Sequence, residues 1–402
     1  MKKVVILFAT VLLLAVSCQP VKKTEKTKYV VVLSMDGFRW DYALKTATPA
    51  FDEMAADGAK AEYMVPSFPT KTFPNHYTLA TGLFPGEHGI VANSFYNDSL
   101  KKPYSLSSRE AVQNADFYGG EPIWVTAEKH GIKAATCFWP GSEAPIEGVR
   151  PSYWLKYDGS MSYASRLDTV IYWLTLPYSE RPHLVMFYVD EPDHTAHDFG
   201  PDSKEVKNKI SMLDTFLATV NNKLFSLDIA DSIDFILLSD HGMAKINMEK
   251  SYDLSKLLPE NWVAHQATSN PLSLIDPVPE YADSIVAKLN TFEGLHAWLK
   301  KDVPEKYHYN SHPAIPGVVA RADSSYTLYW KKYTLAADHG YDPDTNSDMR
   351  TIFYAKGSDF KKDFINTPFS NRMVYPLITR LLGIPTENSL ETLKKEHVDV
   401  MK

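Results

Sequence analysis

Cysteine is almost missing from this chain: only Cys18 and Cys137 among 402 residues carry a thiol. A disulfide framework is thereby excluded, and so is a structural zinc site built from several thiolates. A basic surplus is missing too. Forty-two Lys and Arg stand against 49 Asp and Glu, a formal net charge of −7, which argues against a general nucleic-acid binder. Anionic substrates stay open, because bound cations can reverse the field of an acidic site. There is no internal repeat at solenoid or propeller periods, and no stretch rich enough in Gly, Ser or Pro to mark a second domain. The apolar segment at residues 4–16 is too short to span a bilayer comfortably. What is present is the composition of a folded globular protein, 44% hydrophobic and 12% aromatic.

The first residues read as an address. Met1, Lys2 and Lys3 form a basic start, residues 4–16 have the length of a signal-peptide core, and Ala15-Val16-Ser17-Cys18 resembles a bacterial lipobox. The expectation is a signal peptide over 1–17, a lipidated Cys18 with a flexible polar tether over 18–28, and an exported bacterial lipoprotein, periplasmic or at the cell surface, anchored in the membrane. An ordinary signal peptide cut nearby is the alternative. The folded domain is expected over 29–385, with a tail over 386–402.

Three nearly continuous apolar runs each end in metal-capable side chains. YVVVLS at 29–34 runs into Asp36, HLVMFYV at 183–189 into Asp190, Glu191 and Asp193, and IDFILLS at 233–239 into Asp240 and His241. Such runs suit strands buried on both faces. Helical patterns lie between them, over 49–59 and 204–227. The alternation predicts an α/β fold with a largely parallel sheet, whose sites lie beyond the carboxyl ends of the strands. Over 249–330 the periodicity loosens, and this stretch reads as an insertion, a smaller subdomain packed on the sheet. The fold is expected to resume near Tyr333 and to close with a helix over 373–382.

Singly, an Asp at a strand end is more often a turn or cap residue than a ligand. As a set, Asp36, Asp193, His197, Asp240, His241 and His339 are all of metal-ligand type. Carboxylate and imidazole without thiolate suit catalytic Zn²⁺, and also Mn²⁺ or Fe. Asp193 and His197 are spaced i, i+4, so one helical turn puts them on one face. Asp240 and His241 are adjacent, so both reach one ion only if the strand has already ended. Around Thr72 the spacing predicts a helix with Pro74 at its first position, stopping near Gly82. Thr72 then lies just before free helix amides that attract phosphate, and a metal beside its hydroxyl would make it a nucleophile. The alternative makes Thr72 only a cap.

These stretches resemble the nucleotide pyrophosphatase/phosphodiesterases of the alkaline phosphatase superfamily. The resemblance is carried by SMDGFR at 34–39, PTKTFPNHY at 69–77, TGLFPGEHGI at 81–90, FWPGS at 138–142, DHGM at 240–243 and HGYD at 339–342. It implies an alkaline-phosphatase-like three-layer α/β/α sandwich and two zinc ions. Asp193, His197 and His339 would hold one, and Asp36, Asp240 and His241 the other, with Thr72 also on the latter. It further implies Thr72 as nucleophile, Asn93 as donor to a phosphate oxygen, and Phe73 and Tyr157 as aromatic walls for a base. Ala196 stands where the family usually has glycine, a departure that spares the ligands. The implied activity is zinc-dependent hydrolysis of phosphodiester or pyrophosphate bonds in nucleotides through a phosphothreonine, releasing a nucleoside monophosphate. Alternatives on the same centre are a choline-headgroup or lysophospholipid phosphodiesterase and a phosphomonoesterase, and more weakly phosphonoacetate hydrolase-like chemistry. No Cys- or Ser-x-Pro-x-Arg motif supports a sulfatase. A ligand-binding protein with a dead site would have lost a ligand or the nucleophile, and all are present.

Overall fold

A computed structural model describes residues 28–332, 334–385 and 389–402. The expected signal peptide, the lipidated Cys18, almost all of the tether, and Tyr333 lie outside the described residues.

The central sheet is built around strand β1 (Tyr29–Met35), every residue of which is buried. The other strands are β2 (Ala59–Ala61), β3 (Ala134–Cys137), β4 (Tyr153–Leu155), β5 (Leu184–Val189), β6 (Ile233–Leu238), β11 (Phe353–Gly357) and β12 (Phe364–Asn366), in the order β12-β2-β11-β6-β1-β5-β3-β4. Both neighbours of β1 run parallel to it, with Val32 opposite Met186 on one side and Ile236 on the other. Only β11 is antiparallel to its neighbours, β6 and β2, so the sheet is mixed at that side and parallel around its centre.

Alternate residues of β1 enter opposite cores, as the two-residue period of a strand requires. Val30 and Val32 face the core that holds α2 (Thr72–Thr81) and α7 (Val374–Leu381). Val31 and Leu33 face α1 (Pro49–Asp57) and α5 (Lys204–Phe225). Helix α5 starts where the Ser203 side chain accepts from the Val206 amide, and it buries Ile210, Leu213, Leu217, Val220 and Leu224 at helical spacing. Helices thus cover both faces, giving three layers.

Between β6 and β11 the chain forms a second sheet of four antiparallel strands, β7 (Val263–Ser269), β8 (Leu272–Pro277), β9 (Leu295–Leu299) and β10 (Val318–Ala322), in the order β7-β8-β10-β9. It has its own core, where Ile275, Val318 and Ala320 pack with Ile285 and Leu289 of α6 (Ala282–Leu289). The turn between β7 and β8 reaches the main domain, where Lys71 Nζ donates to Asn270 O at 2.6 Å. The closing residues, read from sequence as a tail, dock instead. Helix α8 (Ser389–Lys395) buries Leu393, Val400 is fully buried, and Lys361 N donates to Val400 O at 2.9 Å.

Candidate metal centre and nucleophile

Because β1, β5 and β6 are adjacent and parallel, their carboxyl ends open at one place. Asp36 follows β1 directly. Gly37 then turns with φ +67°, and a Cβ there would sit 2.8 Å from Asp193 Cβ. That close approach lets the Asp193 amide donate to Asp36 O at 3.1 Å. Beyond β5, helix α4 (Asp193–Phe199) places Asp193 and His197 on one face, with Oδ1 and Nε2 3.4 Å apart. β6 ends at Leu238, so Asp240 and His241 lie in irregular backbone and turn to the same side. His339 arrives on the return from the second sheet. The six side chains form two groups, Asp193–His197–His339 and Asp36–Asp240–His241, each with donor atoms within 4.8 Å of one another. The rings of His241 and His339 stack at 3.4 Å, so the groups are neighbours.

The donor chemistry fits cations. In all three histidines Nδ1 meets a carbonyl: His197 to Ala337 O at 2.8 Å, His241 to Gly242 O at 2.9 Å, and His339 to Thr70 O at 2.8 Å. A carbonyl only accepts, so Nδ1 carries the hydrogen and Nε2 presents a lone pair to the site. Opposite these lone pairs stand more acceptors. Asp36 Oδ1, Asp193 Oδ1 and Asp240 Oδ2 are buried without a hydrogen-bond partner among the described residues. His241 Nε2 lies 3.2 Å from Asp36 Oδ1 and 3.1 Å from Asp240 Oδ2. Acceptors facing acceptors in a buried site need a cation between them.

The titration pattern agrees. Burial, with the Asp240 and Asp193 charges, pushes the Asp36 carboxyl well up. Burial would also raise Asp240, but His241 and His76 outweigh it and hold it low. Burial depresses His241, and it depresses His339 further with help from His241. For His197 burial works downward, and Asp193, Asp338 and the Ala337 carbonyl together more than offset it.

Thr72 is the first residue of α2, with Lys71 as N-cap. This corrects the expectation that Pro74 begins the helix: Pro74 sits at the third position, still within the first turn, where no amide partner is required. The free amides expected there are also fewer. Pro74 has none, and Phe73 N donates to Asn93 Oδ1 at 2.9 Å. That bond orients the Asn93 carboxamide, leaving its NH₂ as the available donor. Thr72 Oγ1 lies 3.1 Å from His241 Nε2, so the hydroxyl abuts the Asp36–Asp240–His241 group.

A cavity of about 380 Å³ opens over this centre, lined by Asp36, Thr72, Asn93, Asp193, His197 and His339 together with Phe73 and Tyr157. All ten residues singled out in the sequence therefore lie at one place, and only Asp240 and His241 sit behind the cavity wall.

Several partners escaped the sequence reading. Fully buried His76 accepts or donates at Ser34 Oγ (2.8 Å), meets Thr72 O at 2.9 Å and lies 3.3 Å from Asp240 Oδ2. Its i, i+4 spacing from Thr72 was a usable signal. Tyr188 OH donates to Asp36 Oδ2 at 2.6 Å, but nothing marks it within an apolar strand. Arg109 and Glu143, an ion pair on the cavity wall, come from segments without a motif. Glu143 Oε1 also accepts from Tyr157 N at 3.1 Å.

The profile of the type I phosphodiesterase/nucleotide pyrophosphatase family matches residues 30–342. The chain is 34% identical to rat ectonucleotide pyrophosphatase/phosphodiesterase family member 3, over 90% of this chain and 42% of the rat protein. It thus spans less than half the length of that relative. An uncharacterized pyrophosphatase/phosphodiesterase of Schizosaccharomyces pombe is 33% identical over 89% of this chain and 77% of its own length. Among solved structures, inactive murine ectonucleotide pyrophosphatase/phosphodiesterase 5 in complex with AMP superposes with a TM-score of 0.87 at 31% identity, over 93% of this chain and all of that one. The alkaline-phosphatase-like α/β fold is therefore shared. The rat, bovine and nematode relatives are eukaryotic ectonucleotide enzymes, and this overturns the expectation of an exported bacterial lipoprotein. Among the described residues no helix is long and apolar enough to cross a membrane.

Proposed function

This chain belongs to the type I phosphodiesterase/nucleotide pyrophosphatase family, and from that premise we propose that it hydrolyses phosphodiester or pyrophosphate bonds of nucleotides. One observation carries the reading: Thr72 Oγ1 abuts a group of unpaired buried acceptors at the floor of an aromatic-walled cavity.

Asp193, His197 and His339 would hold one zinc ion, and Asp36, Asp240, His241 and Thr72 the other. When bound, the two ions supply the charge that lowers the Thr72 hydroxyl pKa and neutralises phosphoryl oxygens. The chain's own residues do the rest. Phe73 and Tyr157 take the base between aromatic surfaces, consistent with the AMP in the murine relative. Asn93, fixed by Phe73 N, points its NH₂ at a non-bridging oxygen, a bond that strengthens as charge develops. The Thr72 hydroxyl then gives up its proton to solvent as its oxygen bonds to phosphorus, the P–O bond to the leaving group breaks, and the leaving oxygen keeps the electron pair and takes up a proton from solvent. Water attacks the resulting phosphothreonine, releases a nucleoside monophosphate and restores the hydroxyl. His76 holds the Thr72 carbonyl and keeps the helix start in register with Asp240. The catalytic unit would span 29–385, with 249–330 as an insertion.

The test compares the p-nitrophenyl ester of thymidine monophosphate, bis-p-nitrophenyl phosphate and p-nitrophenyl phosphate, with zinc and with chelator. Preference for the nucleotide diester, abolished by chelation, is expected. Preference for the monoester would overturn the substrate class, and no hydrolysis by zinc-loaded protein would overturn the activity.

A further inference from the structure

A second cavity, of about 370 Å³, shares Asn93, His197 and His339 with the first but none of Phe73, Tyr157 or Arg109. Its outer wall comes from the second sheet and the segment after it: Gln266, Thr268, Trp330 and Lys331. Gln266 and Thr268 are two apart on β7 and so share a face. A hydrogen-bond chain sets this wall. Trp330 Nε1 donates to Ser273 Oγ at 3.2 Å, Ser273 Oγ and Thr268 Oγ1 are 2.7 Å apart, and Thr268 Oγ1 donates to Gln266 Oε1 at 3.4 Å. With that oxygen engaged, the Gln266 NH₂ is the end left to meet a ligand. The wall is also registered to the reacting centre. Lys71, the residue before Thr72, donates to Asn270 O at the tip of the β7–β8 turn, and Asn270 Oδ1 accepts from Leu328 N at 3.0 Å, two residues before Trp330.

We propose that this cavity is a leaving-group subsite that takes a second nucleoside phosphate, with the Trp330 indole as stacking surface for its base and Lys331 as partner for its phosphate. The inference rests on the nucleotide-diester reading above. An in-line displacement puts attacking and leaving oxygens on opposite sides of phosphorus. Thr72 abuts the His241 group, so the leaving oxygen departs toward Asp193, His197 and His339, and His197 and His339 are the wall the two cavities share. A P–O–P bond between two nucleosides would thus lie across the centre, one nucleotide in each cavity.

The experiment uses the zinc-loaded full chain and two substrates with the same nucleotide half, diadenosine pyrophosphate and the p-nitrophenyl ester of AMP. Trp330→Ala is expected to lower the ratio of their kcat/KM values by about ten-fold, the worth of one base–aromatic stack, and Trp330→Phe to recover most of it. Lys331→Glu is expected to lower the same ratio. A ratio that stays within about two-fold of wild type in Trp330→Ala and Lys331→Glu, whether both rates fall together or neither falls, would overturn the subsite and leave the activity standing. If Trp330→Ala does not fold, as judged by its melting curve, Lys331→Glu and Gln266→Ala decide by the same ratio. A wild-type protein that cleaves neither substrate would overturn the activity itself.

Discussion

At the residue scale the site is a collection of groups that cannot be at rest with one another alone. Three carboxylate oxygens lack donors, and three imidazoles turn lone pairs toward them. Thr72 is different, because its hydroxyl can donate to His241 and it is not one of the six side chains of the two candidate metal groups. Thr72→Ala is therefore expected to lower turnover of the nucleotide diester by on the order of 10⁴-fold while bound zinc, measured by elemental analysis, stays at the wild-type level. Loss of zinc would make Thr72 chiefly a ligand. Asp36, Asp193, His197, Asp240, His241 and His339 stand out in the sequence as carboxylates and imidazoles, most of them at or just beyond the ends of apolar runs, and Thr72 as a hydroxyl at a helix start, whereas Asn93, Phe73 and Tyr157 come only from the family resemblance. Tyr188 and the Arg109–Glu143 pair stand out in neither way, since their roles exist only where distant segments meet.

At the element scale two contacts decide how strands and helices are held. Lys71 is buried at the start of α2 and bonds both Asp338 Oδ1, at 3.0 Å, and Asn270 O. One ammonium thus ties the nucleophile's helix to the His339 segment and to the second sheet. Lys71→Met is expected to destabilise the fold by about 3 kcal/mol in urea titrations, the cost of removing one member of a buried ion pair. A change below about 1 kcal/mol would show that the pair is not what holds these elements.

The other contact lies at the opposite end of β6. Asp234 has no exposed surface, and burial raises its pKa to about 6, with its Oδ1 accepting from Asp359 N at 3.1 Å. A carboxyl whose folded pKa is raised contributes stability that is complete below the unfolded value of about 4, and that is lost as pH rises through about 6. Asp234→Asn, neutral at every pH, is therefore expected to be more stable than wild type at pH ~7, by up to about 3 kcal/mol. The gain should vanish below pH ~4. Melting curves across that range check the sign, and a variant less stable at neutral pH would show the Lys28 contact at 4.0 Å to matter more than burial.

At the scale of the whole molecule, the candidate ligands run from residue 36 to residue 339 and come from the end of β1, α4, the end of β6 and the return from the second sheet. Metal binding would then be coupled to the folding of nearly the entire chain. Free zinc at about a hundredfold excess over its Kd is expected to add about 2.7 kcal/mol, read as a rise in Tm that chelator reverses. A Tm indifferent to zinc would mean that the centre does not load.

The local pattern of the chain determined the three central strands, helices within two residues of those at 49–57 and 204–225, and the set of candidate ligands, because burial on both faces and helical spacing leave their mark residue by residue. It misjudged the start of α2, where a proline is tolerated anywhere in the first turn, and it read the docked segment 389–402 as a tail because Leu393, Val398 and Val400 are too sparse to form a period. Tertiary structure alone decided the rest. Strand order put β5 and β6 on either side of β1 and so made one site of three distant motifs. The Asn270 turn, brought against Lys71, set a second cavity beside the first. Both depend on which surfaces bury one another across hundreds of residues, and no local pattern encodes that.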